Sequence, residues 1–220
     1  MEIVVIKRSV LNLYNEVENR TITVFGEGAV KASPDTVHIV LTVQTRGMEL
    51  QEIQQENAER MHKVISSLVG LGIPESAIQT IDYQIRPVND YVNGEQVFRG
   101  YEVINTIRVT SNDLSKTGEV VDTAVKNGAN QIGSIEFTVQ NQEEFYQQAL
   151  TLALHDAETK MVTIGSSLKL ANRPIVMKVE EQHASQPVAF RAMAMADTVT
   201  PIESGTLTIS ASLLVKYRIV

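Results

Sequence analysis

Residues 77–110 read AIQTIDYQIRPVNDYVNGEQVFRGYEVINTIRVT, and the fold turns on how this stretch pairs with itself. Asn93-Gly94 is the strongest hairpin signal in the chain, because a type I′ turn needs positive φ at both central residues and these residue types tolerate it. Ala77 to Tyr91 and Gln96 to Thr110 are therefore expected to be antiparallel strands. At ~3.3 Å per residue, strands of roughly 14 residues span about 45 Å, more than a compact domain of this size requires, so the tip is expected to protrude as an arm. A two-residue turn would pair Ile85 with Glu102 and Tyr83 with Ile104. Yet Val103, Ile107 and Val109 form the better core-facing set, and they have the opposite parity. A one-residue slip turns every side chain to the other face. A bulge near Pro87 and Gly100 resolves the conflict, since proline donates no ladder bond and glycine suits bulges. Tyr83 and Tyr101 are expected to pack under helices. Tyr91 and Phe98, beside Asn93 and Gly94, lie too far out for a single core; exposed there, they imply a partner surface.

Outward from the hairpin, the period changes mark the other elements. Thr21 to Ala32 reads as a strand. In Val37 to Thr45, Val37, Ile39, Leu41 and Val43 alternate with His38, Thr42 and Gln44, the mark of a half-buried strand. Val40 breaks the alternation, so the outer face is expected to be partly covered. Glu49 to Leu71 is a helix with Leu50, Ile53, Met61, Val64, Ile65 and Leu68 at helical spacing, stopped by Gly72 and Pro74. Asp113 to Asn127 is a second helix closed by Gly128. Gln131 to Gln140 is a strand, and Gln142 to Leu170 a third helix. Its Ala149, Ala153 and Ala157 form a small-residue stripe that permits close packing on a neighbour. Arg173 to Glu181 and Gly205 to Val220 are strands. Helix, Gly or Asn break, then strand recurs three times, so helices are expected on one face of a shared sheet.

Two segments lack a period. Residues 1–20 read as an N-terminal extension, with Ile3 to Ile6 as a short strand or arm. Residues 182–204 carry Phe190, Arg191, Met193 and Met195 and form either a mobile connection or a lid, with His183 and Arg191 as its polar groups.

The 220 residues suit one large domain or two small intertwined ones. With no cysteine, disulfides, thiolate metal sites and cysteine nucleophiles are excluded. The net charge of −7 and the scatter of basic residues among acids argue against nucleic acid as a partner. No stretch approaches the ~20 apolar residues of a membrane helix. Lys7, Arg8 and Asn12 interrupt the apolar start before a signal peptide develops, so the cytoplasm is the expected compartment, or the periplasm or cell surface if a leader was removed.

The short motifs favour structural readings. Gly26-Glu27-Gly28 opens like a dinucleotide fingerprint but lacks the third glycine and a following helix, so close backbone approach is expected there instead. Ser166 to Lys169 matches S-x-x-K and Lys116-Thr117-Gly118 matches K-T-G, in the reverse chain order to penicillin-recognising enzymes. The four histidines, His38, His62, His155 and His183, make no metal-spaced pair. Asn19-Arg20-Thr21 is a glycosylation sequon only in a secreted eukaryotic chain.

The ordered pattern resembles the SIMPL-domain family. It is carried by Thr23-Val24-Phe25-Gly26-Glu27-Gly28, then Pro34-Asp35 and an alternating strand. Gly100-Tyr101-Glu102-Val103 with Asn105 follows, then Leu114 to Val120 and Asn127-Gly128-Ala129-Asn130 leading to Ile135-Glu136-Phe137. The alanine-spaced helix and Pro201 to Tyr217 complete it. The resemblance runs from about Thr21 to the C-terminus. It implies an α+β fold without established catalytic residues. It also implies bacterial relatives that are often exported antigens, some of them ring- or channel-like oligomers, and a mammalian adaptor for a pelle-like kinase.

The expectation is thus an α+β domain over 21–220 with a mixed, largely antiparallel sheet, long helices mainly on one face and a long protruding β-hairpin. Function is expected to be non-enzymatic binding or scaffolding, self-associating through Tyr91, Asn93, Gly94 and Phe98. A protein partner is a further expectation; no cofactor, metal or catalytic residue is nominated. The rival is a small-ligand binder or enzyme with its site under residues 182–204.

Overall fold

A computed structural model describes residues 20–182, 188–189 and 200–219. The strand or arm expected at Ile3 to Ile6 lies outside these residues, as do His183, Phe190, Arg191, Met193 and Met195. In chain order the elements are β1 (Thr21–Ala32), β2 (Thr36–Gly47), α1 (Leu50–Gly70), β3 (Ile78–Val92), β4 (Glu95–Ser111), α2 (Thr117–Lys126), β5 (Gln131–Thr138), α3 (Gln142–Ser167), β6 (Ile175–Gln182), β7 (Val188–Ala189) and β8 (Leu207–Arg218). The strands and helices read from residue 21 onward are all present, with their ends moved by a few residues.

The class is α+β, with all described strand pairs antiparallel. The strands do not share one sheet. They divide between two compact units, one built from the described residues before Ser33 with those of Asn141–Ala189 and Thr206–Val220, the other from Ser33–Gln140 and the described part of Phe190–Gly205.

In the first unit the strand order is β1-β8-β6, with β7 also paired to β8. Helix α3 lies on the face carrying Ile22, Val24, Leu213, Val215 and Tyr217. It can lie close because both surfaces are small there. A Cβ placed on Gly28 would sit 2.0 Å from the Ala149 carbonyl oxygen, and one on Gly26 would sit 2.1 Å from that of Ala153. The paired glycines of β1 and the alanine stripe of α3 are thus two halves of one contact, in place of any phosphate cradle. Tyr146 of α3 donates to the Glu181 carboxylate of β6. That bond, helped by burial, pushes the tyrosine up to about 12.

In the second unit the order is β3-β4-β2-β5, with α1 and α2 over one face. Val37, Ile39, Leu41, Val43, Ile107 and Val109 point from β2 and β4 into a core with Met61, Val64 and Leu68 of α1 and Val120, Val121 and Ala124 of α2, and Val103 is fully buried on the same face. Burying such side chains is worth roughly 1.5–3 kcal/mol each before entropy is counted. Val40, on the outer face, is half-buried because a bulge in β5 brings Gly133 onto it: a Cβ there would lie 2.9 Å from Val40 Cγ1. Ile202 returns to this core, and Thr200 donates its amide (3.1 Å) and hydroxyl (2.5 Å) to the Asp122 carboxylate of α2.

The threefold helix–break–strand echo has one physical form. Each helix ends with a residue in the left-handed region: Gly72 at φ 97°, Gly128 at φ 125° and Lys169 at φ 53°. After each, an amide reaches back to the last turn, Ile73 to Leu68, Ala129 to Ala124 and Leu170 to Gly165. These are Schellman-type closures, which favour glycine because a Cβ is strained there.

Two stability outcomes follow. Gly28→Ala forces a methyl into helix backbone and is expected to cost at least about 2 kcal/mol, read by urea denaturation. Lys169→Gly relieves the one strained closure and is expected to raise stability by about 0.5–1 kcal/mol; a fall in melting temperature would contradict that account of the helix end.

Candidate functional site

The site is built on the β3–β4 hairpin. Asn93 at φ 51° and Gly94 at φ 87° make the two-residue turn, as their identities require. From there the ladder runs Val92 with Glu95, Tyr91 with Gln96, Asp90 with Val97 and Asn89 with Phe98. It then skips one residue of β4, Arg99, so that Val88 meets Gly100 and Ile85 meets Val103. The bulge falls where the parity conflict demands it. Gly100 is needed there twice over. Its φ is 114°, and a Cβ would lie 2.3 Å from the Gly47 carbonyl oxygen. A second irregularity, at Ile81, lies nearer the start of β3.

Strand β2 ends at Gly47, opposite Tyr101. Beyond that point the two hairpin strands pair only with each other, a free ribbon of about 15 Å. Its register sorts the side chains. Tyr83, Ile85, Asn89, Tyr91, Phe98 and Tyr101 fall on the helix-side face, the side to which Val103 points. Helix α1 packs on β2 and β4, leaving this edge of the sheet uncovered. Tyr91 is therefore 77% exposed, Tyr83 47%, Phe98 43% and Ile85 39%. Phe98 and Tyr101 meet edge to face with centroids 5.1 Å apart, a geometry that holds both rings in place. Tyr83 departs from expectation: it is half-exposed, because its strand lies at the sheet edge.

The opposite face of the ribbon's base carries a polar clamp that the sequence reading missed. Glu102 of β4 is 1% exposed although it lies on the face opposite to α1 and α2. Arg46 from β2 donates to Oε1 at 2.5 Å, Arg86 from β3 donates to Oε2, and Gln44 donates to Oε1. Gln131 of β5 donates in turn to Gln44. All four strands of the sheet thus contribute. Burial works against ionisation of Glu102, but the bonds from Arg46, Arg86 and Gln44 outweigh it and hold the carboxyl below its ordinary value. Further along this face the Thr42 and Thr106 hydroxyls hydrogen-bond to each other across 2.9 Å, and His38 meets Thr110 at 3.0 Å.

Residues 22–217, from the start of β1 to the end of β8, match the model of SIMPL, described as a protein of unknown function (DUF541). The chain belongs to the SIMPL family. Among relatives of this SIMPL protein, the 26 kDa periplasmic immunogenic protein of Brucella melitensis is 27% identical over 210 residues, covering 90% of this chain and 84% of that protein. Its counterpart in Brucella abortus aligns with the same figures. The uncharacterized protein YggE of Escherichia coli is 26% identical over 132 residues, 60% of this chain and 54% of YggE.

The remaining sequence motifs take structural places in the SIMPL fold. Thr117 of the K-T-G match is buried, and its hydroxyl donates to the Leu114 carbonyl at the start of α2. Ser166 of the S-x-x-K match closes α3 by accepting the Lys169 amide on its carbonyl. No cluster of three His, Asp or Glu suited to a metal ion occurs among the described residues. No described helix is long and apolar enough to cross a membrane.

Glu102 gives a pH prediction with a definite sign. A carboxyl whose folded pKa is lowered stabilises the fold fully above its unfolded value, about 4.3, and loses that contribution as pH falls through the folded value. Glu102→Gln is expected to cost about 1–2 kcal/mol at pH 7, a figure kept small because both arginines are more than half exposed. Below about pH 4.3 the gap to the wild type should shrink, as read by urea denaturation across pH; a gap that widens on acidification would contradict the clamp.

Proposed function

We propose that this SIMPL-family chain works by binding rather than catalysis, as a self-associating scaffold that docks through the β3–β4 ribbon. The observation that carries this reading is the exposed stripe of Tyr83, Ile85, Phe98 and Tyr91 along one face of the β3–β4 hairpin, from the sheet edge out onto the ribbon. Aromatic rings on a surface are common anchors of protein interfaces, since they bury much area with few torsions to freeze. At the root of the ribbon, the Glu102 clamp and the Gly100 bulge hold it to the sheet, so Tyr91 and Phe98 are presented on a fixed support. Asn93 and Gly94 shape the tip, and Tyr91 and Phe98 supply the contact.

For the compartment, the periplasmic alternative is the better supported. The Brucella relative carries that location in its name and aligns over most of its length. A chain without cysteine tolerates an oxidising compartment as readily as a reducing one.

Light scattering coupled to size exclusion tests the ribbon. Replacing Tyr91 and Phe98 together by serine is expected to lower the assembly mass while the chain stays folded, with a fall in melting temperature of no more than about 4 °C from the lost Phe98–Tyr101 pair. An unchanged mass in the double variant would remove the ribbon as the contact.

A further inference from the structure

Sheets expose two edges, and proteins guard edges that must not pair. In the first unit the edge of β1 is guarded. Asp156 of α3 accepts the Glu27 amide at 2.9 Å, Lys160 donates to the Phe25 carbonyl at 2.9 Å, and the two side chains pair with each other at 2.7 Å. Helix side chains thus occupy the backbone groups that another strand would need. The edge of β6 has no such cover among the described residues. All eight of its residues are exposed, including Val176 at 53% and Val179 at 48% on the face that α3 shares.

The direction of the free backbone groups can be derived. Because Glu27 gives its amide to Asp156, it points away from β8, and Glu27–Ser212 is a non-hydrogen-bonded pair. Antiparallel ladders alternate, so Ser212, Leu214 and Lys216 turn their amides and carbonyls toward β6, while Leu213 and Val215 turn theirs toward β1. Val179 and Glu181 lie opposite Val215 and Leu213. Their own amides and carbonyls therefore face the open edge.

We propose that β6 pairs with β6 of a second copy of this chain, antiparallel about a two-fold axis at Val179. Val179 meets Val179 of the partner subunit as a hydrogen-bonded pair, with both amides and both carbonyls satisfied. One residue to either side, Lys178 faces the partner's Glu180 and Glu180 faces the partner's Lys178. These two types already pair within one chain. The strand is complementary to itself in this register, which selects a second copy over an unrelated peptide. The two valines meet on the helix side, extending the apolar surface already begun by Val176 and Val215. Glu181, the other outward-facing residue, is tied to Tyr146 and stays out of the charge match. This contact uses no residue of the ribbon.

Charge reversal tests the register. K178E and E180K each place like charges across both symmetric pairs, and each is expected to weaken the dimer about tenfold by light scattering over a dilution series. The K178E/E180K double variant restores opposite charges and should return the dissociation constant to near the wild-type value. A double variant no better than the singles overturns the register. The native chain has no cysteine, so V179C supplies a single thiol at the axis. A hydrogen-bonded pair places these Cα atoms about 5.5 Å apart, within cross-linking reach. V179C should cross-link to a dimer under a short bis-thiol reagent, whereas E59C on exposed α1 should not. Cross-linking should persist in the Y91S/F98S background. Its loss there, or a V179C chain that stays monomeric because another segment or partner covers the edge, overturns the proposal.

Discussion

A single extra residue, Arg99, sets the facing of every side chain between the hairpin turn and the core of the second unit. The type I′ turn fixes one parity at the tip, and the core of β2, α1 and α2 demands the other at Val103, Ile107 and Val109. Both demands are strong. The turn has two residues of the right type, and the core set is fully buried. The ladder satisfies both by leaving Arg99 unpaired, at a position where Gly100 can take positive φ and lie against Gly47. The same shift has two further consequences. It turns Glu102 outward, where Arg46 and Arg86 can reach it, and it aligns Phe98 with Tyr101, Tyr83 and Ile85 on the helix-side face.

The outward turn of Glu102 would be costly without its partners. A carboxylate shut away from water needs compensating donors, and here three side chains from three neighbouring positions supply them. The arrangement also crosses strands: β2, β4 and β3 meet at one carboxylate, close to where β2 stops and the ribbon becomes free. A two-stranded ribbon on its own is marginal in water. Anchoring its base by charge-assisted bonds on one face and an aromatic pair on the other gives it a fixed root without adding a third strand.

Much of this was legible in the residues. Asn93-Gly94 announces the turn, and the clash of parities announces the bulge. The alanine stripe and Gly26-Glu27-Gly28 each signalled close approach, although nothing local said that they approach each other. That pairing depends on β1 meeting α3 and β8 from opposite ends of the chain, and periodicity carries no information about such distant partners. The same limit explains why one sheet was expected and two are found. Tyr83 was misjudged for a related reason: alternation says which face a residue takes, not whether a helix extends over that face. Glu102 carried a weak signal, a charge within an alternating apolar strand. Its meaning depended on Arg46 and Arg86, which become its neighbours only once the bulge is placed.

The four strand edges differ in a way that bears on how the chain meets other molecules. The edge of β1 is capped by Asp156 and Lys160. The edge of β5 is broken by the bulge at Gly133, and that of β3 by the irregularity at Ile81 and by Pro87, which has no amide to offer. Bulges and prolines are the ordinary means by which proteins discourage strand addition. On β3 these devices leave side chains, not backbone, as the means of contact, consistent with its exposed aromatic stripe. On β6 the bulge at Met177 lies near one end, and the rest of the strand keeps its outward amides and carbonyls open. Side-chain recognition on one unit and backbone recognition on the other would be chemically independent, so a chain using both could be altered at either without disturbing its remaining contact.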